Sequence, residues 1–164
     1  MITYKKINVD NRQELIELME NVLNKLERKE FFIPFTENEI EELFQENNTI
    51  SYGAFHNEKL VGTAQLYLED NFIKNIKKEI NLVSDKVAEL GGYLVLEEYR
   101  NEGILKELEK RLIKEAKEKD YEYIVVTVHP DNLPSNKAVE FTGAKIVKTT
   151  KFGEYLRNIY LLKL

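Results

Sequence analysis

The hydrophobic residues of this chain recur with two spacings, one typical of β-strands and one typical of α-helices. Runs that alternate with polar residues, or that stay apolar over a strand's length, predict strands. These runs occupy residues 2–9, 49–56, 59–69, 93–96, 123–128, 144–152 and 155–164. Asn57-Glu58 and Gly153-Glu154 separate neighbouring runs, which predicts two hairpins.

Two helices are predicted between the first two runs. Residues 12–29 place their apolar side chains on one face, and this pattern ends before Pro34, which disfavours helical geometry at the residue that precedes it. Thr36 followed three residues later by Glu39 is a capping-box pattern, which predicts a second helix over residues 37–46.

Two more helices are predicted in the second half of the chain. One follows Gly103, and a shorter one ends at Gly143, a natural C-cap. Residues 71–85 fit either a short helix or a loop that covers a pocket. The order β-α-α-β-β, then β-loop-α-β-α-β-β, predicts an α/β fold with a mixed sheet and ligands at the carboxyl ends of its central strands.

The stretch over residues 87–119 joins a strand to a helix through the polar turn of residues 97–103. A helix N-terminus offers about four unpaired backbone N–H groups and the positive end of the helix dipole, so it stabilises a phosphate without a lysine. Gly103 stands where such a turn needs bare backbone. A glycine between a strand and a helix is also a common structural feature, so the rest of the chain has to decide.

Composition and charge exclude or disfavour several kinds of site and classes of protein. The 164 residues suffice for one domain with its own core. The chain has no cysteine and two distant histidines, which excludes disulfides and a thiol relay and makes a metal site unexpected. The net charge of −5 disfavours a nucleic-acid binder. No apolar run approaches the roughly 20 residues of a membrane span and no signal peptide is recognisable, so we expect a cytoplasmic protein.

Two other kinds of phosphate site do not match the turn before the central helix. A P-loop needs Gly-Lys-Ser/Thr at the helix start, and this chain has Gly-Ile-Leu. A Rossmann dinucleotide site needs two further glycines, which are missing. Nucleotide hydrolysis is therefore excluded as an interpretation.

Two segments resemble the GNAT superfamily of acetyl-coenzyme A-dependent N-acetyltransferases: LVLEEYRNEGILKELEKRLIKEA and, after it, VHPDNLPSNKAVEFTGA. Arg100 and Gly103 match the family's pyrophosphate loop, Arg/Gln-x-x-Gly-x-Gly/Ala, whereas Leu105 replaces the last small residue. This leucine either crowds the pyrophosphate or points into the sheet. The resemblance implies one domain over residues 1–164, with a mixed sheet of six to seven strands, helices on both faces and splayed central strands.

The resemblance also implies a site for acetyl-coenzyme A as co-substrate, without a metal. The pyrophosphate is expected at the backbone amides of Asn101, Glu102, Gly103, Ile104 and Leu105, beside Arg100. The pantetheine arm is expected to pair like an added strand with the backbone of Leu94, Val95 and Leu96. Asn132, followed by Ser135 and Asn136, matches an asparagine of the family at the mouth of the next strand and helix.

Acetyl transfer to an amine needs a polarised thioester carbonyl and a base for the amine. A backbone N–H near Val95 or Leu96 is expected to polarise the carbonyl. Glu89 stands where many members of the family carry an acidic residue, so it is the candidate base if burial raises its pKa. The alternative is an ordinary exposed strand glutamate.

The departing thiolate also needs a proton, and the residue that supplies it is less clear from the sequence. The tyrosine that serves as the acid in many relatives falls at Val139, which has no hydroxyl. Tyr155, Ser135 and bulk water are the replacements, and Tyr155 is the side chain that we name as the candidate.

We expect the acceptor to be a small molecule with a primary amine. Aromatic and acidic side chains of the variable segments suit a cationic amine, unless most of the aromatic rings form core. They are Phe31, Phe32, Phe35, Tyr52, Tyr67, Glu69, Asp70, Phe152 and Tyr155. The alternatives are a protein N-terminal or lysine acetyltransferase, and a non-catalytic acyl-coenzyme A binding or partner-interaction module. The leucine-rich run 155–164 fits a homodimer interface or a sheet edge.

Overall fold

The computed structural model describes residues 1–68 and 70–164, whose seven strands form one mixed sheet in the order β1-β2-β3-β4-β5-β7-β6. The strands are β1 (Ile2–Lys6), β2 (Thr49–His56), β3 (Lys59–Tyr67), β4 (Val87–Val95), β5 (Tyr123–Val128), β6 (Lys145–Phe152) and β7 (Tyr155–Lys163). The helices are α1 (Arg12–Asn24), α2 (Glu37–Glu42), α3 (Asn71–Glu79), α4 (Ile104–Glu118) and α5 (Leu133–Phe141). Neighbouring strands pair antiparallel except β4 and β5, which pair parallel. The predicted mixed sheet is thus confirmed.

Helices cover both faces of the sheet, as consecutive residues of β2 show. The Ser51 hydroxyl donates to the Leu43 carbonyl beside α2, and the Tyr52 hydroxyl donates to Glu115 of α4. Because consecutive side chains of a strand point to opposite faces, α2 and α4 lie on opposite faces. An ion pair between α1 and α2, Arg12 with Glu41, places α1 beside α2.

Consecutive residues of β7, near the other end of the strand order, also point to helices on opposite faces of the sheet. Ile159 packs with Ile76 of α3, whereas the hydroxyl of Tyr160 donates to Asn136 of α5. Because α5 also contacts α4, these two helices share one face, and α1, α2 and α3 share the other. The predicted arrangement of helices on both faces is confirmed.

Some predicted boundaries are wrong. The first helix ends at Asn24 instead of residue 29, because Lys25 leaves helical geometry (φ −103°, ψ 3°) and the N–H groups of Lys25 and Leu26 donate to the carbonyls three residues before them. Arg28 is extended (φ −132°, ψ 125°), and its guanidinium binds Glu30 and Asp131. β4 begins at Val87, six residues before the predicted start of that strand.

The structure also excludes one alternative for each of two segments. Residues 71–79 form the helix α3, so the loop interpretation of that segment is wrong there. The strand β7 pairs with β5 on one side and β6 on the other, so it is not a sheet edge. Among the helices that the structure describes, none is long and apolar enough to cross a membrane.

Candidate active site

The two central strands separate after a short paired section. β4 and β5 pair only over Val87–Glu89 and Tyr123–Val125, although β4 continues to Val95 and β5 to Val128. Residues 90–95 of β4 therefore border a gap in the sheet, closed at the level of Glu89 and open toward the end of β4. Splayed central strands are what the sequence predicted.

A bulge in β4 lies beside this gap. Thr63 pairs with Leu94 and Gln65 with Gly91, so three steps along β4 face two steps along β3. Gly92, inside the bulge, has φ +66°, and a Cβ atom there would lie 1.7 Å from the Oε1 atom of Gln65. Only glycine fits this position, because both the backbone conformation and the space exclude a side chain.

Alternation of the backbone decides which peptide groups face the gap. The N–H of Leu96 donates to the Val61 carbonyl of β3 at 2.9 Å, so it points away from β5. The neighbouring peptide group of Val95 points the opposite way, because peptide directions alternate along a strand. Of the two predicted polarising donors, Val95 is thus the one directed at the gap.

The turn between β4 and α4 is open and polar. Arg100, Asn101, Glu102 and Gly103 are exposed, and both Asn101 (φ 64°) and Gly103 (φ 76°) adopt left-handed geometry. Among residues 1–68 and 70–164, no side chain caps α4 and no atom lies within 4 Å of the place where a Gly103 Cβ would sit. Unpaired N–H groups at the start of a 15-residue helix can bind a phosphate group.

The two residues that begin α4 point inward. Ile104 is buried, and Leu105 is half-buried and packs against the main core. The Leu105 side chain thus points into the protein instead of crowding the phosphate turn. The backbone N–H groups of the first helical turn keep their orientation along the helix axis.

The residues predicted at the start of α5 have two different surroundings. Asn132 and Ser135 are partly exposed after the end of β5. Asn136 is buried and fully hydrogen-bonded within the chain: its amide N–H groups donate to the carbonyls of His129 and Asn132, and its Oδ1 accepts from Tyr160 and Asn158. Asn136 therefore fixes the turn that carries Asn132 and Ser135.

Glu89 lies at the closed end of the gap. It is the last β4 residue paired with β5, and its opposite neighbour on β3 is Tyr67. It is 8% exposed, and burial raises its pKa well above the ordinary value, with a further rise from the Asp70 carboxylate. The alternative of an ordinary exposed strand glutamate does not describe this side chain.

The remaining catalytic candidate, Tyr155, is at a distance from Glu89 along the sheet. Glu89 pairs with Val125 and Val125 pairs with Leu161, whereas Tyr155 precedes Leu161 by six residues. At about 3.3 Å per residue this places Tyr155 roughly 20 Å along β7 from that level. Tyr155 is 38% exposed and lies beside the guanidinium of Arg157.

The predicted acceptor-pocket residues divide into several groups. Tyr67 and Asp70 lie near Glu89. Tyr67 is its neighbour on β3, and the Asp70 carboxylate raises the pKa of Glu89 after the larger effect of burial. Tyr52 lies on the α4 face. The other rings pair with each other or with core neighbours: Phe31 with His129, Phe32 with Phe35, and Phe152 with Phe72. Glu69 lies outside the described residues.

Sequence reasoning missed a buried acid on α4. Glu109 is 1% exposed, its Oε1 accepts the Tyr93 hydroxyl at 2.7 Å, and its Oε2 has no partner among the described residues. Burial raises the pKa of Glu109 to about 8, against the lowering effects of Tyr93 and Lys106. The available signal was its spacing, because Glu109 follows Leu105 by four residues and so lies on the apolar stripe of the helix.

Comparison with known proteins found a family model that matches most of the chain. The model of the acetyltransferase (GNAT) family matches residues 20–142. No curated protein matches the chain.

Solved structures share the fold at low identity. An acetyltransferase of the GNAT family from Streptococcus pneumoniae is 16% identical, with a TM-score of 0.77 over 100% of this chain and 99% of that one. The Salmonella typhimurium protein yncA, solved with its cofactor acetyl-CoA, is 17% identical, with a TM-score of 0.74 over 100% and 94%. The PaiA N-acetyltransferase from Thermoplasma acidophilum, solved in complex with coenzyme A, is 18% identical, with a TM-score of 0.67 over 100% and 99%.

Proposed function

The chain belongs to the acetyltransferase (GNAT) family, and on that premise we propose that it transfers the acetyl group of acetyl-coenzyme A to a primary amine of a small molecule. The observation that carries the proposal is the gap between β4 and β5, with the uncapped start of α4 beyond its open end and buried Glu89 at its closed end. A phosphate group could thus bind beyond the open end of the gap, and a reacting amine could bind near its closed end, along the same strand β4.

The cofactor supplies the thioester when it is bound. Its pyrophosphate would be held by the amides of residues 101–105 beside Arg100, and Asn132 and Ser135 would face it from α5. Its pantetheine amides would pair with the peptide groups of β4 that border the gap, in the manner of an added strand. A backbone N–H of β4 that borders the gap would donate a hydrogen bond to the thioester oxygen and stabilise the negative charge that develops there.

In the proposed reaction the amine nitrogen attacks the thioester carbonyl carbon, and the carbon–sulfur bond breaks. The proton leaving the amine goes to Glu89, whose raised pKa makes its carboxylate a stronger base than an ordinary glutamate. The thiolate takes a proton from Tyr155, Ser135 or water. A proton from Tyr155, which lies roughly 20 Å along β7 from the level of Glu89, would have to pass through water molecules. Replacing Tyr155 by Phe tests this donor, since thiol release at an unchanged rate removes it.

Two measurements test the proposal in order. Isothermal titration with acetyl-coenzyme A should show binding, and its absence at high micromolar concentration overturns the cofactor site. Thiol release is then measured against a panel of small amines, protein N-termini and lysine peptides. Turnover with small amines supports the proposal, and turnover with peptides alone assigns a protein acetyltransferase instead.

A second candidate is a non-catalytic acyl-coenzyme A binding module. It is favoured by Val139, which is fully buried at the position of the acid found in many relatives and has no hydroxyl. Binding of acetyl-coenzyme A without thiol release to any amine, over pH 6–9, would establish this second candidate.

A further inference from the structure

One buried acceptor beside the bulge of β4 has no partner. Gln65 is fully buried, and its Oε1 atom makes no hydrogen bond with any described residue. A Cβ atom on Gly92 would lie 1.7 Å from this Oε1 and 3.1 Å from the Tyr67 hydroxyl, so the oxygen lies over the β4 residue that borders the gap. An unpaired buried acceptor is costly, which makes it a place where an N–H donor binds favourably.

The orientation of the Gln65 amide is fixed by its neighbours. The Thr63 hydroxyl donates its only proton to the Tyr52 carbonyl at 2.8 Å, so its oxygen can only accept from Gln65 Nε2, at 3.0 Å. The Gln65 Oε1 atom is thereby directed away from Thr63 and toward Gly92. Because Gln65 pairs with Gly91 and Tyr67 pairs with Glu89, Gln65 and Glu89 are diagonal neighbours on one face.

Three carboxylates on this face lack a cationic partner. Glu89, Asp70 and Glu39 form no ion pair with any residue among 1–68 and 70–164. They are close enough to influence one another, since Asp70 raises the pKa of Glu89 and Glu39 raises that of Asp70, in each case after the larger effect of burial. Glu39 belongs to α2, whose sequence ENEIEE carries four carboxylates and no basic residue.

From the unpaired Gln65 oxygen and these unpartnered carboxylates, we propose that the acceptor is a small dication of the diamine class. Its reacting amine donates one N–H to Gln65 Oε1 and the other to Glu89, and its second ammonium group lies against Asp70 and Glu39. This inference rests on the proposed acetyl transfer to a small amine.

The arrangement gives each polar atom a role. Before it reacts, the attacking ammonium group of the dication releases one proton to solvent. The resulting neutral amine has two N–H bonds and one lone pair, so hydrogen bonds to Gln65 and Glu89 leave the lone pair free to attack the thioester carbon. The second group stays protonated throughout and supplies the positive charge that the carboxylates lack. An amine whose far end is neutral or negative loses that interaction or turns it into repulsion.

Three substrates of equal chain length separate these cases: 1,4-diaminobutane, butylamine and 4-aminobutanoate. We expect kcat/KM for thiol release to fall in that order, with the diamine at least about tenfold above butylamine at low salt. The preference should shrink as ionic strength rises, because partly exposed charges are screened.

The variants Asp70→Asn and Glu39→Gln remove charge with little change in shape. Asp70 caps α3 by accepting from the Ile73 N–H at 2.7 Å, and Glu39 completes the capping box of α2 by accepting from the Thr36 N–H, and both replacements can accept these hydrogen bonds. The double variant should lower kcat/KM for the diamine about tenfold more than for butylamine, so that the preference between the two amines is lost. The rate with butylamine also responds, because the Asp70 carboxylate raises the pKa of Glu89 after the larger effect of burial. The matched control is Glu118→Gln, exposed at the end of α4 on the other face, which should leave both substrates unchanged.

Gln65→Met tests the orienting contact, because it keeps the length of the side chain and removes the acceptor. It should lower kcat for all three amines alike while the affinity for acetyl-coenzyme A is retained. Transfer to butylamine as fast as to the diamine, or a preference for 4-aminobutanoate, overturns the dication and leaves the proposed acetyl transfer intact. Bound acetyl-coenzyme A without transfer to any amine overturns both.

Discussion

Glu109→Gln makes the pH dependence of folding measurable at one buried side chain. The pKa of Glu109 is raised by burial to about 8 from its ordinary value of 4.5. Between these two values the unfolded chain releases this proton and the folded chain keeps it. The free energy of unfolding of the wild type therefore falls as pH rises through this window, by about 1.4 kcal/mol per pH unit.

The variant removes this one titration and keeps the contact with Tyr93. Glutamine has the shape of a neutral glutamic acid, and its Oε1 atom can still accept the Tyr93 hydroxyl. Other buried carboxylates, such as Glu89, titrate in both proteins and cancel in the comparison. From pH 5 to pH 8, the free energy of unfolding of Glu109→Gln should rise relative to wild type by about 3–4 kcal/mol.

Urea unfolding at pH 5, 6, 7 and 8 measures this difference, with circular dichroism as the readout. Glu118→Gln is the control, because it makes the same chemical change at an exposed position of the same helix. Its free energy of unfolding should differ from that of wild type by the same small amount at every pH. Parallel curves for Glu109→Gln and wild type would show that Glu109 is ionised in the folded protein and would refute the reasoning.

The other predictions concern the bulge, the phosphate turn and the base. Gly92→Ala should destabilise the fold by about 2–4 kcal/mol in thermal or urea unfolding, since it adds overlap with Gln65 to the strain of a positive φ. Gly153→Ala, at φ +62° with nothing within 4 Å, should cost only about 1 kcal/mol, and equal losses would contradict the overlap. Gly103→Asp should abolish acetyl-coenzyme A binding in calorimetry, because it puts a negative charge at the start of α4. Its control, Gly103→Ala, has the same backbone strain and should still bind acetyl-coenzyme A. Unchanged affinity of the Asp variant would show that the pyrophosphate does not bind at this turn. Because its raised pKa keeps Glu89 protonated at low pH, kcat/KM should rise as the pH passes the pKa of Glu89. Glu89→Gln should remove this rise and lower the rate by about 10²–10⁴-fold. An unaltered pH profile in this variant would rule out Glu89 as the base.

Most of the fold follows from patterns that are local in sequence. Hydrophobic spacing located all seven strands and the helices α1 and α4, because a strand or helix that covers a sheet must repeat its apolar positions. Capping residues located α2, through Thr36 and Glu39, and α5, through Gly143. The end of α1 was missed because the apolar spacing continues to Leu26, whereas the backbone already leaves helical geometry at Lys25 (φ −103°, ψ 3°). Apolar spacing predicts which face of a helix is buried, and it does not determine at which residue the helix ends.

The candidate site was predictable where one segment forms it and not where several meet. The turn of residues 100–105 belongs to one strand–turn–helix unit, so its glycine and its polar residues could be read directly. The Gln65 oxygen beside Gly92 depends on the register of β3 and β4 and on a bulge, neither of which the sequence states. Glu109 was hidden by its charge, because a glutamate on a lysine-rich helix is usually solvated.

The short contact between β4 and β5 also has a mechanical meaning. The sheet consists of two halves, β1–β4 and β5–β7, whose strands pair with each other through three residue pairs, and the helices packed on both faces span this joint. A ligand arm that pairs with β4 in the gap would extend this joint and make the two halves one cooperative unit. Binding of such a ligand should therefore slow amide hydrogen exchange in the strands on both sides of the gap, including residues of β5 and β7 that the ligand does not contact.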